Sequence, residues 1–151
     1  MVIDTFADEY EFLSNFSSYG FYDEKGRYWK TVEHYFQAMK IDPKHPDWEH
    51  WFYKVHEAKS PRQAKSIGRK CPLREDWEDL KVLYMYKALK MKFNENALIR
   101  TWLINTGDIT LIEGNTWGDR YWGKDDGIGK NMLGRLLMTI REEYILTRKR
   151  P

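Results

Sequence analysis

The chain has 151 residues, of which 42% are hydrophobic and 32% charged, with a net charge of +2. That composition excludes a disordered chain, the small net charge by itself argues for no polyanionic partner, the final Arg148-Lys149-Arg150 is a short basic tail that reads as a solvated end or a phosphate contact, and the length suits one domain spanning residues 1–151. A single cysteine, Cys71, excludes an internal disulfide framework and disfavours a structural zinc site.

The stretch 2–21 mixes apolar and polar residues without helical period and reads as short strands and turns. Asp23-Glu24-Lys25-Gly26 reads as a hairpin turn between Phe21-Tyr22 and Arg27-Tyr28-Trp29. Thr31 supplies an N-cap for a first helix, which Pro43 and Pro46 bring to an end. Within it, Val32, Phe36 and Met39 make an apolar stripe. Glu33, Gln37 and Lys40 fall at i, i+4 and i+7 on another face, over roughly 10 Å of rise. That stripe reads either as a solvated polar face or as an acid, an amide and an amine converging on one small ligand.

A second helix starts near Asp47, with Trp48, Trp51, Phe52 and Val55 on one strongly apolar face. Ser60-Pro61-Arg62-Gln63 is a capping box with proline at the first helical position, and Gly68 fits the residue just past that helix. The longest periodic segment runs from Glu75 to about Phe93, with Leu80, Leu83, Tyr84 and Ala88 as buried candidates. Another helix follows Asn96 and ends near Gly107. Residues 109–112 read as a strand, and the glycine- and aspartate-rich segment 114–129 as loop. Asn131 caps a last helix carrying Leu133, Leu136, Leu137, Ile140 and Tyr144 on one face. The fold class expected is α+β, mostly helical with short strands, in a single domain.

Seven Trp, ten Tyr and seven Phe exceed what a core of this size requires, and such rings also stack on flat heterocycles. The four histidines show no metal-ligand spacing, so no metal is expected, and no serine sits in a nucleophile elbow. No apolar run approaches transmembrane length and no N-terminal h-region is visible, so no membrane partner and a cytoplasmic location are expected.

Four segments carry chemistry-bearing residues at close spacing. They are Phe12-Leu13-Ser14-Asn15-Phe16, the Glu33/Gln37/Lys40 helix, Gly68-Arg69 with Arg74-Glu75-Asp76-Trp77, and Asp119-Arg120-Tyr121-Trp122-Gly123 continuing to Gly134. Together they resemble the NADAR family, also described as YbiA-like N-glycosidases. The likeness runs from about Phe6 to Arg141 and is strongest in Leu13-Ser14-Asn15-Phe16, in Glu33-His34-Tyr35-Phe36-Gln37-Ala38 with Lys40, and in Asp119 to Gly134 with Leu137 to Arg141.

The resemblance implies cleavage of an N-glycosidic bond to a phosphorylated ribose, without a cofactor. Implied substrates are early riboflavin-pathway ribosylamino-pyrimidine phosphates or, alternatively, ADP-ribose on guanine bases of nucleic acid or nucleotides. A non-catalytic nucleotide- or nucleic-acid-binding module is the reading from another class. The matching positions make Glu33, Trp77 and Asp119 functionally important, with Lys40 a participant. The two carboxylates are expected in one aromatic-walled cavity, stabilising positive charge on the sugar or activating water. Lys40 suits a Schiff base with a ring-opened ribose, or a simple contact with the helix C-terminus. Trp77 and Trp122 are candidate base-stacking platforms, Asn15 and Gln37 hydrogen-bonding partners, Arg69 a phosphate contact, and Asn131 either a helix cap or part of a phosphate site.

Overall fold

A computed structural model describes residues 1–149; Arg150, part of the basic tail Arg148-Lys149-Arg150, and Pro151 lie outside the described residues. The fold is α+β and mostly helical, with six two-residue strands in three separate pairs. The backbone divides into two compact units, residues 15–95 and residues 1–14 together with 96–151.

The unit 15–95 holds strands β2 (Phe21–Tyr22) and β3 (Tyr28–Trp29) and helices α1 (Val32–Met39), α2 (Trp48–His56), α3 (Pro61–Gly68) and α4 (Trp77–Glu95). The β2–β3 hairpin pairs Phe21 with Trp29 and Tyr22 with Tyr28. Its turn forms where the sequence places it. Asp23 Oδ1 accepts from the N–H groups of Lys25 and Arg27, and Oδ2 accepts from Trp29 Nε1 at 2.9 Å. Those bonds hold the Asp23 carboxyl below its ordinary pKa although burial alone would raise it. Trp29 is thereby delivered, fully buried, edge-on against Tyr35, Phe52 and His56. Much of the aromatic surplus is therefore core.

Helix α1 starts as expected, with the Thr31 hydroxyl accepting from the His34 N–H. It packs against α2, α3, α4 and β3, so every residue from Val32 to Ala38 is buried. A helix walled on all sides has no solvated stripe, and this removes the bland reading of Glu33 and Gln37. His34 is structural: its Nε2 bonds the Ala58 carbonyl at 2.9 Å and its Nδ1 the Thr31 hydroxyl at 2.8 Å, while burial lowers its pKa. On α2 only Val55 is buried; the rings of Trp48, Trp51 and Phe52 are half-buried. In α4 the inward residues are Trp77, Met85, Ala88, Leu89, Lys92 and Phe93. Leu83, expected inside, is 51% exposed, because α4 turns Met85 rather than Leu83 toward its neighbours.

In the other unit, β1 (Val2–Ile3) pairs in parallel with β4 (Thr110–Leu111), and a 3-10 turn covers Asp8–Leu13. Helices α5 (Ala97–Asn105) and α6 (Met132–Lys149) pack together, with Leu133, Leu137 and Ile140 fully buried on α6. Arg141 ties α6 down by donating to Thr106 Oγ1 and the Ile109 carbonyl. The segment 114–129, expected as loop, contains a short parallel pair, β5 (Gly114–Asn115) with β6 (Lys124–Asp125). No helix among the described residues is long and apolar enough to cross a membrane.

Candidate functional site

In the unit 15–95 the polar stripe of α1 forms a buried cluster. Gln37 Nε2 donates to Glu33 Oε1 at 2.8 Å, and the two residues are only 4% and 6% exposed. The Glu33 N–H donates to the Asn15 carbonyl, which anchors the helix start to the Leu13–Phe16 segment. Asn15 Nδ2 reaches Met85 Sδ at 3.5 Å. The other ends of both amides, Asn15 Oδ1 and Gln37 Oε1, are buried and accept no hydrogen bond among the described residues. Leaving such acceptors empty costs on the order of 1–3 kcal/mol each, a cost more often met at sites of function than in inert cores.

Gly68 makes this cluster possible. It closes α3 with ordinary negative φ, so it is not the left-handed residue past a helix end that the sequence suggests. A Cβ there would overlap Gln37 Oε1 and stand 3.0 Å from Lys40 Cε. The glycine is thus a packing requirement, letting α1 approach α3 with its polar face inward. Nothing in the local pattern announces this second use. The Cys71 thiol donates to the Gly68 carbonyl at 3.2 Å, and burial raises its pKa.

Lys40 sits at the C-terminal cap of α1, and the Lys40 carbonyl accepts from the Arg74 N–H. Burial lowers the pKa of its amine, the attraction of Cys71 and Glu33 opposes this, and Arg69 and Lys65 add to the lowering. A half-buried amine of depressed basicity is the form in which a lysine attacks a carbonyl. Arg69 caps α3 with its side chain exposed. Trp77 opens α4 and is 6% exposed, set 5.0 Å from Phe36 and 6.2 Å from Tyr84, nearly parallel to the latter. It braces α1 against α4, and only its rim faces outward.

In the other unit Asp119 shapes a loop. Its Oδ1 accepts from the N–H groups of Tyr121 and Trp122 at 3.1 and 2.9 Å. Asn115 holds the same residue by its backbone, donating from Nδ2 to the Asp119 carbonyl and accepting from the Asp119 N–H. Sequence reasoning passed over Asn115, which has no neighbouring motif to flag it. Trp122 is half-buried, edge-on to Tyr121. Asn131, at φ +54°, precedes α6, but its side chain bonds Leu111 of β4 and the nearby Glu113 instead of the helix. Its Nδ2 donates to the Leu111 carbonyl and its Oδ1 accepts from the Glu113 N–H. Gly134 accommodates this, since a Cβ there would overlap the Leu111 carbonyl and crowd the Asn131 amide. Among the described residues no group of three or more His, Cys, Asp or Glu is arranged to hold a metal ion.

The chain belongs to the family of the NADAR domain, whose model matches residues 3–144. It is 39% identical over 144 residues to N-glycosidase YbiA of Escherichia coli strain K12, covering 93% of this chain and 85% of that protein. It is also 38% identical to the riboflavin biosynthesis protein PYRR, chloroplastic, of Zea mays, covering 89% of this chain but 23% of that longer one. The NMR structure of E. coli YbiA matches with a TM-score of 0.83 at 35% identity, over 98% of this chain and 86% of that one.

Proposed function

We propose that this protein hydrolyses the N-glycosidic bond of phosphorylated ribosylamine compounds such as early riboflavin-pathway ribosylamino-pyrimidine phosphates. Its class is that of its relatives, hydrolases acting on N-glycosyl bonds. The observation carrying the reading is the buried Glu33, hydrogen-bonded by Gln37, about two helix turns from the half-buried amine of Lys40. The PYRR likeness favours a riboflavin-related substrate.

In this reading the C–N bond at the anomeric carbon breaks with its electron pair leaving on nitrogen, and positive charge develops on the sugar. A carboxylate beside that carbon stabilises the charge, and in a site shielded from water the effect is strong. Water then adds to the carbon, its proton passes by way of the carboxylate to the departing nitrogen, and the products are a free amine and a ribose phosphate hemiacetal. The Gln37 amide holds the Glu33 carboxylate in one orientation, so no reorganisation is needed as charge appears. Lys40 captures the ring-opened aldehyde as a Schiff base, releasing water, and addition of water to that imine frees the ribose phosphate and restores the amine. Trp77 contacts the base, Arg69 the phosphate end, and Asn15 the ribose. The substrate is small and soluble, no metal or other cofactor takes part, and the reaction belongs to the cytoplasm.

The test is turnover of ribosylamino-pyrimidine phosphates and of guanine-linked ADP-ribose, with released products read by mass spectrometry. Glu33→Gln should lower turnover roughly 100-fold, about 3 kcal/mol of transition-state stabilisation. Release from the ADP-ribosyl substrate alone would move the assignment to ADP-ribosyl hydrolysis. Ligand binding without turnover of either class, unchanged in Glu33→Gln, would leave a binding module.

A further inference from the structure

One end of the Gln37 amide is used by the proposed reaction and the other is not. Gln37 Nε2 donates to Glu33 Oε1, while Gln37 Oε1 is buried and has no donor among the described residues. Reversing the amide is no remedy, because its oxygen would then face the Glu33 oxygen. Gln37 is 4% exposed, so bulk solvent does not serve Oε1 either. An acceptor kept empty at such a cost needs an occupant.

Its direction says which occupant fits. Oε1 lies against Gly68 of α3, where a Cβ would stand, and that same point is 3.0 Å from Lys40 Cε. The Gln37 oxygen and the Lys40 side chain therefore meet over one glycine, and the lysine nitrogen is a single bond beyond Cε. A sugar hydroxyl would have to part α1 from α3 to reach Oε1, whereas the lysine already stands there. Glu33, Gln37, Lys40 and Gly68 all belong to the unit 15–95.

The charges around the amine are mixed. Glu33 and Cys71, whose thiol bonds the Gly68 carbonyl, attract a positive charge there, while Arg69 and Lys65 repel it. Arg74 is occupied with the Met39 and Lys40 carbonyls and with Asp76. A neutral amine tolerates half-buried surroundings, but a cationic nitrogen there needs an acceptor. Donation to the Glu33 carboxylate polarises the amide and makes Oε1 a better one.

We propose that Gln37 links the Glu33 carboxylate to Lys40, its Oε1 accepting the N–H of the Lys40 nitrogen whenever that nitrogen is cationic. In the free protein the cation is the ammonium. When an aldehyde is captured, the amine adds to the carbonyl carbon and one amine proton moves to the oxygen. The hydroxyl leaves as water on taking a second proton from solvent, and the imine cation keeps one N–H, which Oε1 accepts. That placement stabilises charge where it develops. The imine part of this rests on the reaction proposed above; the bond to the ammonium does not.

The test is the Lys40 pKa in the full chain without substrate, read from its Cε carbon-13 resonance through a pH titration and assigned with Lys40→Met. Gln37→Met should lower that pKa by about one pH unit, a roughly tenfold weaker hold on the proton. A Gln37 that merely orients Glu33 would also move it, so the deciding comparison is made in a Glu33→Gln background. There Gln37→Met should still lower the Lys40 pKa by at least about half a pH unit. Gln37→Asn, which withdraws the same amide by one carbon, should act in the same direction and serves if Gln37→Met disturbs folding. A Lys40 pKa that stays put or rises in the Glu33→Gln background overturns the proposal. Turnover of ribosylamino-pyrimidine phosphates, measured beside it, separates the two claims. A Lys40 pKa that moves in a protein without turnover removes the reaction and keeps this bond, and turnover with an unmoved pKa does the reverse.

Discussion

The carboxylates of Glu33 and Asp119 are held in two opposite ways. Glu33 projects from a helix enclosed by four other elements, and Gln37, one turn away, donates to its Oε1. Asp119 sits in a loop and makes that loop, one oxygen accepting two backbone N–H groups while Asn115 fixes its own backbone. Around Glu33, rigidity comes from packing and leaves two buried amide oxygens without donors. Around Asp119 it comes from hydrogen bonds, which occupy the functional atom itself. The helix cluster is organised for a ligand to complete, whereas the loop is complete by itself.

Substitutions can break this contrast. Asp119→Ala should cause the largest combined loss, about 2 kcal/mol of stability from two orphaned N–H groups together with most of the activity. Asp119→Asn keeps an oxygen in the Oδ1 place. It should retain the melting temperature while turnover falls roughly 100-fold, if the charge itself acts. Full activity in that variant would make Asp119 a loop-former alone.

Gly68→Ala tests the packing side. The added methyl overlaps Gln37 Oε1, so overpacking should cost about 1–3 kcal/mol and lower kcat about tenfold as the Gln37–Glu33 bond is disturbed. Adding Gln37→Ala removes the clash and should recover stability beyond the sum of the single effects. Strict additivity in thermal denaturation would show that the two residues do not meet.

The smallest expected effect is a gain. Burial holds the folded Lys40 pKa below its ordinary value of 10.5, so the unfolded chain binds the proton more readily and stability rises with pH toward that value. Lys40→Met should therefore raise the melting temperature at pH 7, with the advantage shrinking as pH approaches 10.5, while abolishing any borohydride-trapped adduct. A melting temperature that falls equally at both pH values would mean that the amine is not strained by its surroundings.

What could be read without coordinates is local. Thr31 and Ser60 cap their helices through the N–H three residues on, because a cap needs only a few neighbouring atoms. The hairpin turn followed from Asp23 to Gly26 for the same reason, and the motif spacing around Glu33 and Asp119 pointed to the family. The register of α4 did not follow: Leu83 and Met85 are both apolar, and only the position of neighbouring helices selects Met85 as the buried one.

The sequence alone determined where most helices lie, the Thr31 and Ser60 caps and the Glu33–Gln37–Lys40 alignment, since these depend on contacts within one or two turns. Tertiary structure decided that the alignment is buried instead of solvated, that Gly68 is there for α1 rather than for its own turn, and that the Asn131 side chain bonds Leu111 and Glu113 and not its helix. Each of those depends on which distant segment covers a face, and a periodic pattern carries no record of its cover.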